Sequence, residues 1–333
     1  MPPLGQTEAP LSPSQAYFFG LSFTFIYVGS LYVSKNGRLS FSAKSSRGPR
    51  LRESNERWRD DPDVIRARIT AVTIATAICC VLVWLVVWKS VHGGNPESLF
   101  LAGEHASRLV GIKLPHLSSI RSMTLTDLWN ILSPYLLAPL LFLGPLYAQF
   151  LLITQPKRTW SLKRHLQETF VNIKGLRNYV FAPITEEMVF RACIIAVYHL
   201  GRVSRNTMIW IGPLNFGIAH LHHAWDIYNR FGRTTQAMKQ AVVTTLFQLG
   251  YTTLFGAFCT FVFLQTASLP PVVFAHIFCN VMGLPDVNGD FRIGALRGRG
   301  FAVKIAYGIG IVGFASALGS WTLHSAQSSL LWR

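Results

Sequence analysis

Residues 69–88 read ITAVTIATAICCVLVWLVVW, twenty positions without a charge or a proline. A helix rises about 1.5 Å per residue, so this stretch covers ~30 Å, the thickness of a bilayer's hydrocarbon core. A helix apolar on every side has no face to give to water, which commits the chain to lipid. Comparable segments are expected near 15–34, 128–152, 178–200, 206–225, 241–267, 270–284 and 303–323, with 270–284 short enough to be half-buried or broken. The expected fold is therefore all-α: a polytopic integral membrane protein of about eight transmembrane helices. It forms one membrane domain over 15–333 after a tail at 1–14. Composition agrees, since only 14% of residues are charged, against about a quarter in soluble domains.

The net charge of +16 raises nucleic acid as a partner, and the distribution of that charge argues against it. The first, third, fifth and seventh loops between the expected spans hold 10, 6, 3 and 3 Lys or Arg, and the even loops far fewer. That alternation is the positive-inside pattern, which places the odd loops in the cytosol and both termini across the membrane. No nucleic-acid motif accompanies it. The segment MPPLGQTEAPLSPSQ has no Lys or Arg, so it lacks the basic start of a cleavable signal and the first span is expected to stay. In the first cytosolic loop, 35–68, the Ser-, Gly- and Pro-containing first half is expected to be mobile. Residues 96–113 suit an amphipathic helix on the far face, and 161–177 an interfacial helix on the cytosolic side, either guiding substrate or simply basic and solvated. Cys79, Cys80, Cys193, Cys259 and Cys279 all fall in expected spans without metal spacing, and read as small buried hydrophobes.

Within the fourth expected span, FAPITEEMVFRACIIAVYHL, stand Glu186, Glu187 and Arg191. A charge at the centre of a membrane helix costs roughly 2.5–3.5 kcal/mol on insertion scales, so such groups read as functional by default. Glu187 and Arg191 are four apart and can pair on one face as a structural ion pair. Glu186 is rotated by about 100° and can point elsewhere. Later spans add His220 in NFGIAHLHH, and His276 with Asn280, again four apart, in FAHIFCN. Glu186 lies roughly 12 Å in from the cytosolic end of its span. His220, His276 and Asn280 fall towards the cytosolic ends of theirs, so all four reach the same half of the bilayer. A carboxylate and an imidazole can activate water, and a His/Asn pair can hold an oxyanion. The plainer alternatives are a helix-packing His220 and an interhelical hydrogen-bond bridge from His276 and Asn280. His222 and His223, at the membrane edge, read as packing or solvated.

Other protease chemistries lack their motifs. The sequence has no HExxH and no GxSxG, and VNGD at 287–290 sits in a polar loop without an intramembrane aspartate partner. A metal site built from Glu186, His220 and His276 stays open, as does a nucleophilic Cys279, although a buried thiol stays protonated.

TEEMVFR, NFGIAH and HIFCN match the EExxxR, FxxxH and HxxxN signatures of the type II CAAX prenyl proteases. RDDPDVIRAR at 59–68, LFLGPL at 141–146 and FQLGYTTLFGAF at 247–258 resemble their eukaryotic, Ras-converting branch. The resemblance covers roughly residues 59–285. It implies a multi-pass endopeptidase of the endoplasmic-reticulum membrane whose site faces the cytosol. Its substrates would be farnesylated or geranylgeranylated CAAX proteins such as Ras-type GTPases, from which it removes the C-terminal tripeptide. By position it implies Glu186 as general base, His220 as its partner on water, and His276 with Asn280 as the oxyanion site. Glu187 and Arg191 would support them, and no cofactor or metal is required. Expected partners are prenylated C-termini and membrane lipids, without nucleic acid. A metal-dependent protease on the same residues, or a non-catalytic membrane chaperone for prenylated proteins, are the alternatives.

Overall fold

The computed structural model describes residues 9–42, 48–112, 123–154 and 161–332. Residues 1–8 of the expected tail and 43–47 of the first loop lie outside the described residues. In chain order the helices are α1 (Pro13–Val33), α2 (Pro62–Val91), α3 (Leu99–Leu109), α4 (Leu125–Leu141), α5 (Leu143–Ile153), α6 (162–171), α7 (173–200), α8 (Arg205–Trp210), α9 (Leu214–Ala219), α10 (His223–Arg230), α11 (Thr235–Thr266), α12 (Pro270–Met282), α13 (Val287–Leu296) and α14 (Gly300–Ser328). Extended pairing among the described residues is confined to an isolated antiparallel bridge between Ser40 and Arg57. The chain is an all-helical membrane protein. Among the described residues four helices, α1, α2, α11 and the Gly300–Leu323 part of α14, are long and apolar enough to cross a bilayer, and the bent α4–α5 pair adds a fifth if it is one broken span.

The expected spans differ from the helices in informative places. The single helix expected at 128–152 is bent by 71° between α4 and α5. Pro145 follows the break, and a proline ring has no N–H to give and crowds the carbonyl four residues back. The helix expected over 206–225 is three short ones, α8, α9 and α10. Pro213 interrupts the first gap, where the N–H groups of Ile211 and Gly212 both turn back to the Thr207 carbonyl, at 2.9 and 3.0 Å. The short 270–284 segment is the 13-residue α12. The expected interfacial helices are α3, after a 3₁₀ turn at Pro96–Ser98, and α6, which ends where the Asn172 side chain caps α7 by accepting from the Gly175 N–H at 2.8 Å.

The chain forms two compact units. One comprises Met1–Ile112 with Ile184–Phe263, the other Lys113–Pro183 with Leu264–Arg333. In the first, α1 packs on α2, on α9 and on the C-terminal half of α7, while α2 also carries α3. α1 starts sharply because Ser12 and Gln15 cap each other reciprocally and Pro13 takes the first helical position. The first loop of this unit is organised around buried Glu56, which accepts from the N–H groups of Ser42 (2.7 Å) and Glu53 (3.1 Å) and from the Trp58 indole (2.9 Å), and pairs with Arg50. In the second unit α14 packs along α4, α5 and α13, with the Tyr307 hydroxyl donating to Asp290 at 2.6 Å and Ser133 to the Trp321 carbonyl at 3.0 Å. There α12 lies against α4 and the start of α7, through Tyr135–Phe274 and Phe142–Phe278 edge contacts.

Candidate active site

Of the six residues singled out in the sequence, Glu186, Glu187, Arg191 and His220 belong to the first unit, and His276 and Asn280 to the second. In the first unit the glutamates follow the regular α-helical turns of α7, and the next stretch, Met188–Cys193, widens into π-helical turns. Such one-residue widenings gather at functional positions, because they re-aim side chains at the expense of good hydrogen bonds. Nothing in hydropathy or spacing marks this one. Within this stretch Arg191, four residues on, reaches Glu187, Nε to Oε2 3.1 Å, with the two side chains 1% and 0% exposed. A charge so placed is held by its partner and by an aromatic face: the Arg191 guanidinium stands 4.1 Å from the centre of the Phe216 ring.

Phe216 passes this support on. Its ring meets the His220 imidazole edge-on at 4.6 Å, and its carbonyl lies 2.7 Å from His220 Nδ1. An acceptor at Nδ1 assigns the proton there, which makes Nε2 the basic nitrogen. The spacing of phenylalanine and histidine in FGIAH thus has a physical meaning: one helical turn sets the imidazole on the carbonyl of the residue whose ring covers the arginine. The neighbouring Asn215 ties the segment down, donating to the Tyr198 hydroxyl (3.1 Å) and the Gly212 carbonyl (3.0 Å), while Thr24 of α1 donates to its oxygen at 3.4 Å. α11 completes the packing at Gly256. A Cβ built there would stand 2.8 Å from Pro213 and 3.3 Å from Arg191 Nη2, so only glycine lets the helix lie this close.

Glu186 is half-buried where Glu187 is buried, so the adjacent carboxylates occupy different surroundings. The Tyr27 hydroxyl bonds the neighbouring Thr185 hydroxyl at 2.8 Å, and Glu186 acts electrostatically on both Tyr27 and Tyr251. The imidazoles of His222 and His223 lie 4.1 Å apart, and that of His223 lies 5.7 Å from that of His220. They are part of the surroundings of His220 rather than solvated bystanders. Burial pushes the nearby Asp226 carboxyl up, offset in part by Arg230 and Arg59.

In the second unit His276 is buried and Asn280 exposed, one turn apart on α12. One amide hydrogen of Asn280 goes to the Asn178 carbonyl at 3.0 Å, which orients the group and leaves its second N–H as a donor. Asn178 and Asn215, which hold Asn280 and the His220 segment, went unremarked in the sequence; an asparagine in an otherwise apolar span is the signal that could have found them. Cys279 is a half-buried thiol beside Asn280, and all five cysteines are unbridged. Among the described residues no group of three or more His, Cys, Asp or Glu side chains is arranged to hold a metal ion.

Residues 169–282 match the family described as type II CAAX prenyl endopeptidase Rce1-like. The chain is 32% identical over 275 residues to a probable CAAX prenyl protease 2 of Schizosaccharomyces pombe, covering 83% of each protein. It is 31% identical over 282 residues to CAAX prenyl protease 2 of Homo sapiens, covering 81% of this chain and 71% of that one. It is also 40% identical over 147 residues, 44% of each chain, to CAAX prenyl protease 2 of Arabidopsis thaliana. No solved structure matches.

Proposed function

From the premise that this chain belongs to the Rce1-like family of type II CAAX prenyl endopeptidases, and so is a membrane protease, we propose how its residues divide the work. Glu186 takes a proton from water as that water attacks the carbonyl of the prenylated cysteine, and His220 holds and polarises the same water through Nε2. His276 and the second amide hydrogen of Asn280 donate to the oxyanion that forms. Collapse of the tetrahedral intermediate breaks the C–N bond, and Glu186 returns its proton to the leaving amine. The products are a protein ending in prenylcysteine and a free tripeptide.

The observation that carries this reading is the line of contacts from Glu187 through Arg191 and Phe216 to His220. It joins two sequence signatures into one support for an imidazole whose basic nitrogen is fixed. Glu186 lies outside that pair and, on this reading, is the carboxylate that transfers the proton. The basic odd loops support an endoplasmic-reticulum protein whose site faces the cytosol, where CAAX proteins are made. The deciding experiment is tripeptide release from a prenylated CAAX peptide by purified protein, with and without a strong chelator. Release that survives chelation supports this mechanism. Release lost on stripping and restored by metal would replace it with a metalloprotease. No release, with the prenylated peptide still bound, would indicate a chaperone.

A further inference from the structure

In the run FIYVG of α1, Tyr27 is a buried phenol among apolar neighbours. Packing alone would be served as well by phenylalanine, and a hydroxyl taken into the interior of a membrane protein costs free energy unless it finds a partner. Its partner is the hydroxyl of Thr185, 2.8 Å away and also buried. Thr185 immediately precedes Glu186. On the other side of Glu186, Glu187 is held by Arg191 at 3.1 Å. The backbone that carries Glu186 is thus anchored at the residue before it and at the residue after it, and the first of these anchors comes from α1.

The same side chain reaches towards His220. The Tyr27 ring meets Phe190 edge-on at 5.5 Å, Phe190 packs on Phe216 at 5.2 Å, and Phe216 meets the imidazole at 4.6 Å. Three residues earlier on the same face of α1, the Thr24 hydroxyl donates to Asn215, the neighbour of Phe216, at 3.4 Å. Through these two side chains α1 touches both stretches that bear the water-activating pair. Glu186 belongs to α7 and His220 ends α9, so their spacing depends on what packs against both helices. Tyr27 lies outside the stretch 169–282 that matches the family.

We infer that Tyr27 is a positioning residue for the hydrolysis: through Thr185 its hydroxyl sets where the Glu186 carboxylate stands relative to His220. The inference rests on the peptidase reading above. A misplacement of about 1 Å can cost on the order of 100-fold in rate, so one hydrogen bond to the residue beside a general base has leverage on turnover. Binding of the prenyl chain and peptide does not pass through that bond, and the effect therefore belongs in kcat rather than KM.

The test compares Tyr27→Phe, Thr185→Val and the double variant of the full-length protein. Thermal unfolding in detergent is measured beside kcat and KM on a prenylated CAAX peptide, at matched amounts of folded protein. Tyr27→Phe keeps the ring on Phe190 and should lower kcat by about 10–100-fold, with KM within about twofold of wild type. Thr185→Val should do the same from the other end of the bond. The double variant leaves neither hydroxyl buried alone, so it should unfold at a higher temperature than Thr185→Val while its kcat stays as low. A merely structural bond would let turnover recover together with stability. An unaltered kcat in Tyr27→Phe, a kcat that recovers in the double variant, or a loss confined to KM would overturn the inference and leave the peptidase intact. A wild type that releases no tripeptide, or a Glu186→Gln variant as active as wild type, would defeat the underlying reading and this inference with it.

Discussion

Replacing Glu186 by glutamine removes a charge and almost no volume from a half-buried position. The same change at Glu187 leaves the Arg191 guanidinium buried against a neutral amide. Glu186→Gln should therefore abolish tripeptide release with little change in thermal unfolding in detergent. Glu187→Gln should lower stability by about 3–5 kcal/mol, the usual effect of breaking a buried pair from one side. Comparable turnover by wild type and Glu186→Gln at matched protein levels would remove Glu186 from the mechanism. Asn280→Ala should lower kcat by about 100–1,000-fold with a smaller change in KM, as expected for an oxyanion donor, and equal losses in binding and turnover would argue against that role. At this scale the sequence was legible wherever helical spacing alone decides contacts. Glu187 and Arg191, or Phe216 and His220, are four apart and meet. Spacing says nothing of the ring between Arg191 and His220, because that contact joins two helices.

Elements were legible where apolar length decides and illegible where a local break does. α2 and α11 appear as read, whereas α4–α5 bends and the expected span at 206–225 falls into three pieces. In both cases a proline inside an apolar run outweighs hydropathy. The π-helical turns of α7 had no signal in hydropathy or spacing; they hold Arg191, which packs against α11 at Gly256. That packing makes Gly256→Ala informative. The added methyl must displace Pro213 or the Arg191 guanidinium, so thermal stability should fall by about 1–3 kcal/mol, with activity falling further than stability explains. An unchanged melting temperature would show that α11 can yield. The first loop offers a titration. Burial alone would push the Glu56 carboxyl up, but the N–H groups of Ser42 and Glu53 and the Trp58 indole hold it down at about 2, against an ordinary 4.5. A depressed carboxyl stabilises the loop above its unfolded value, and that stabilisation is lost as pH falls from about 4.5 towards 2. Amide exchange at residues 48–61 should accelerate over that window in wild type and show no such step in Glu56→Gln.

For the whole molecule, the membrane class and the protease family were legible from composition and short motifs, because lipid and chemistry each restrict residue type severely. The division into two units was not, because each unit joins stretches far apart in the chain. If an S-prenyl chain supplies binding energy at about 0.8 kcal/mol per buried CH₂, a prenylated peptide should exceed its free-thiol counterpart in kcat/KM by several orders of magnitude in micelles. Near-equal values would count against the substrate class. The interleaving of the units also bears on how the protein is made. α1 and α2 leave the ribosome early, yet the Thr185 that bonds Tyr27 and the Asn215 that accepts from Thr24 belong to the later stretch of the same unit. About seventy residues of the other unit are translated in between. At about 5–20 residues per second, the first two helices wait for several seconds in the nascent membrane, the Tyr27 hydroxyl without Thr185 and the Thr24 hydroxyl bonded only within α1, to the Gly20 carbonyl at 3.0 Å, a window in which an insertion chaperone has something to hold.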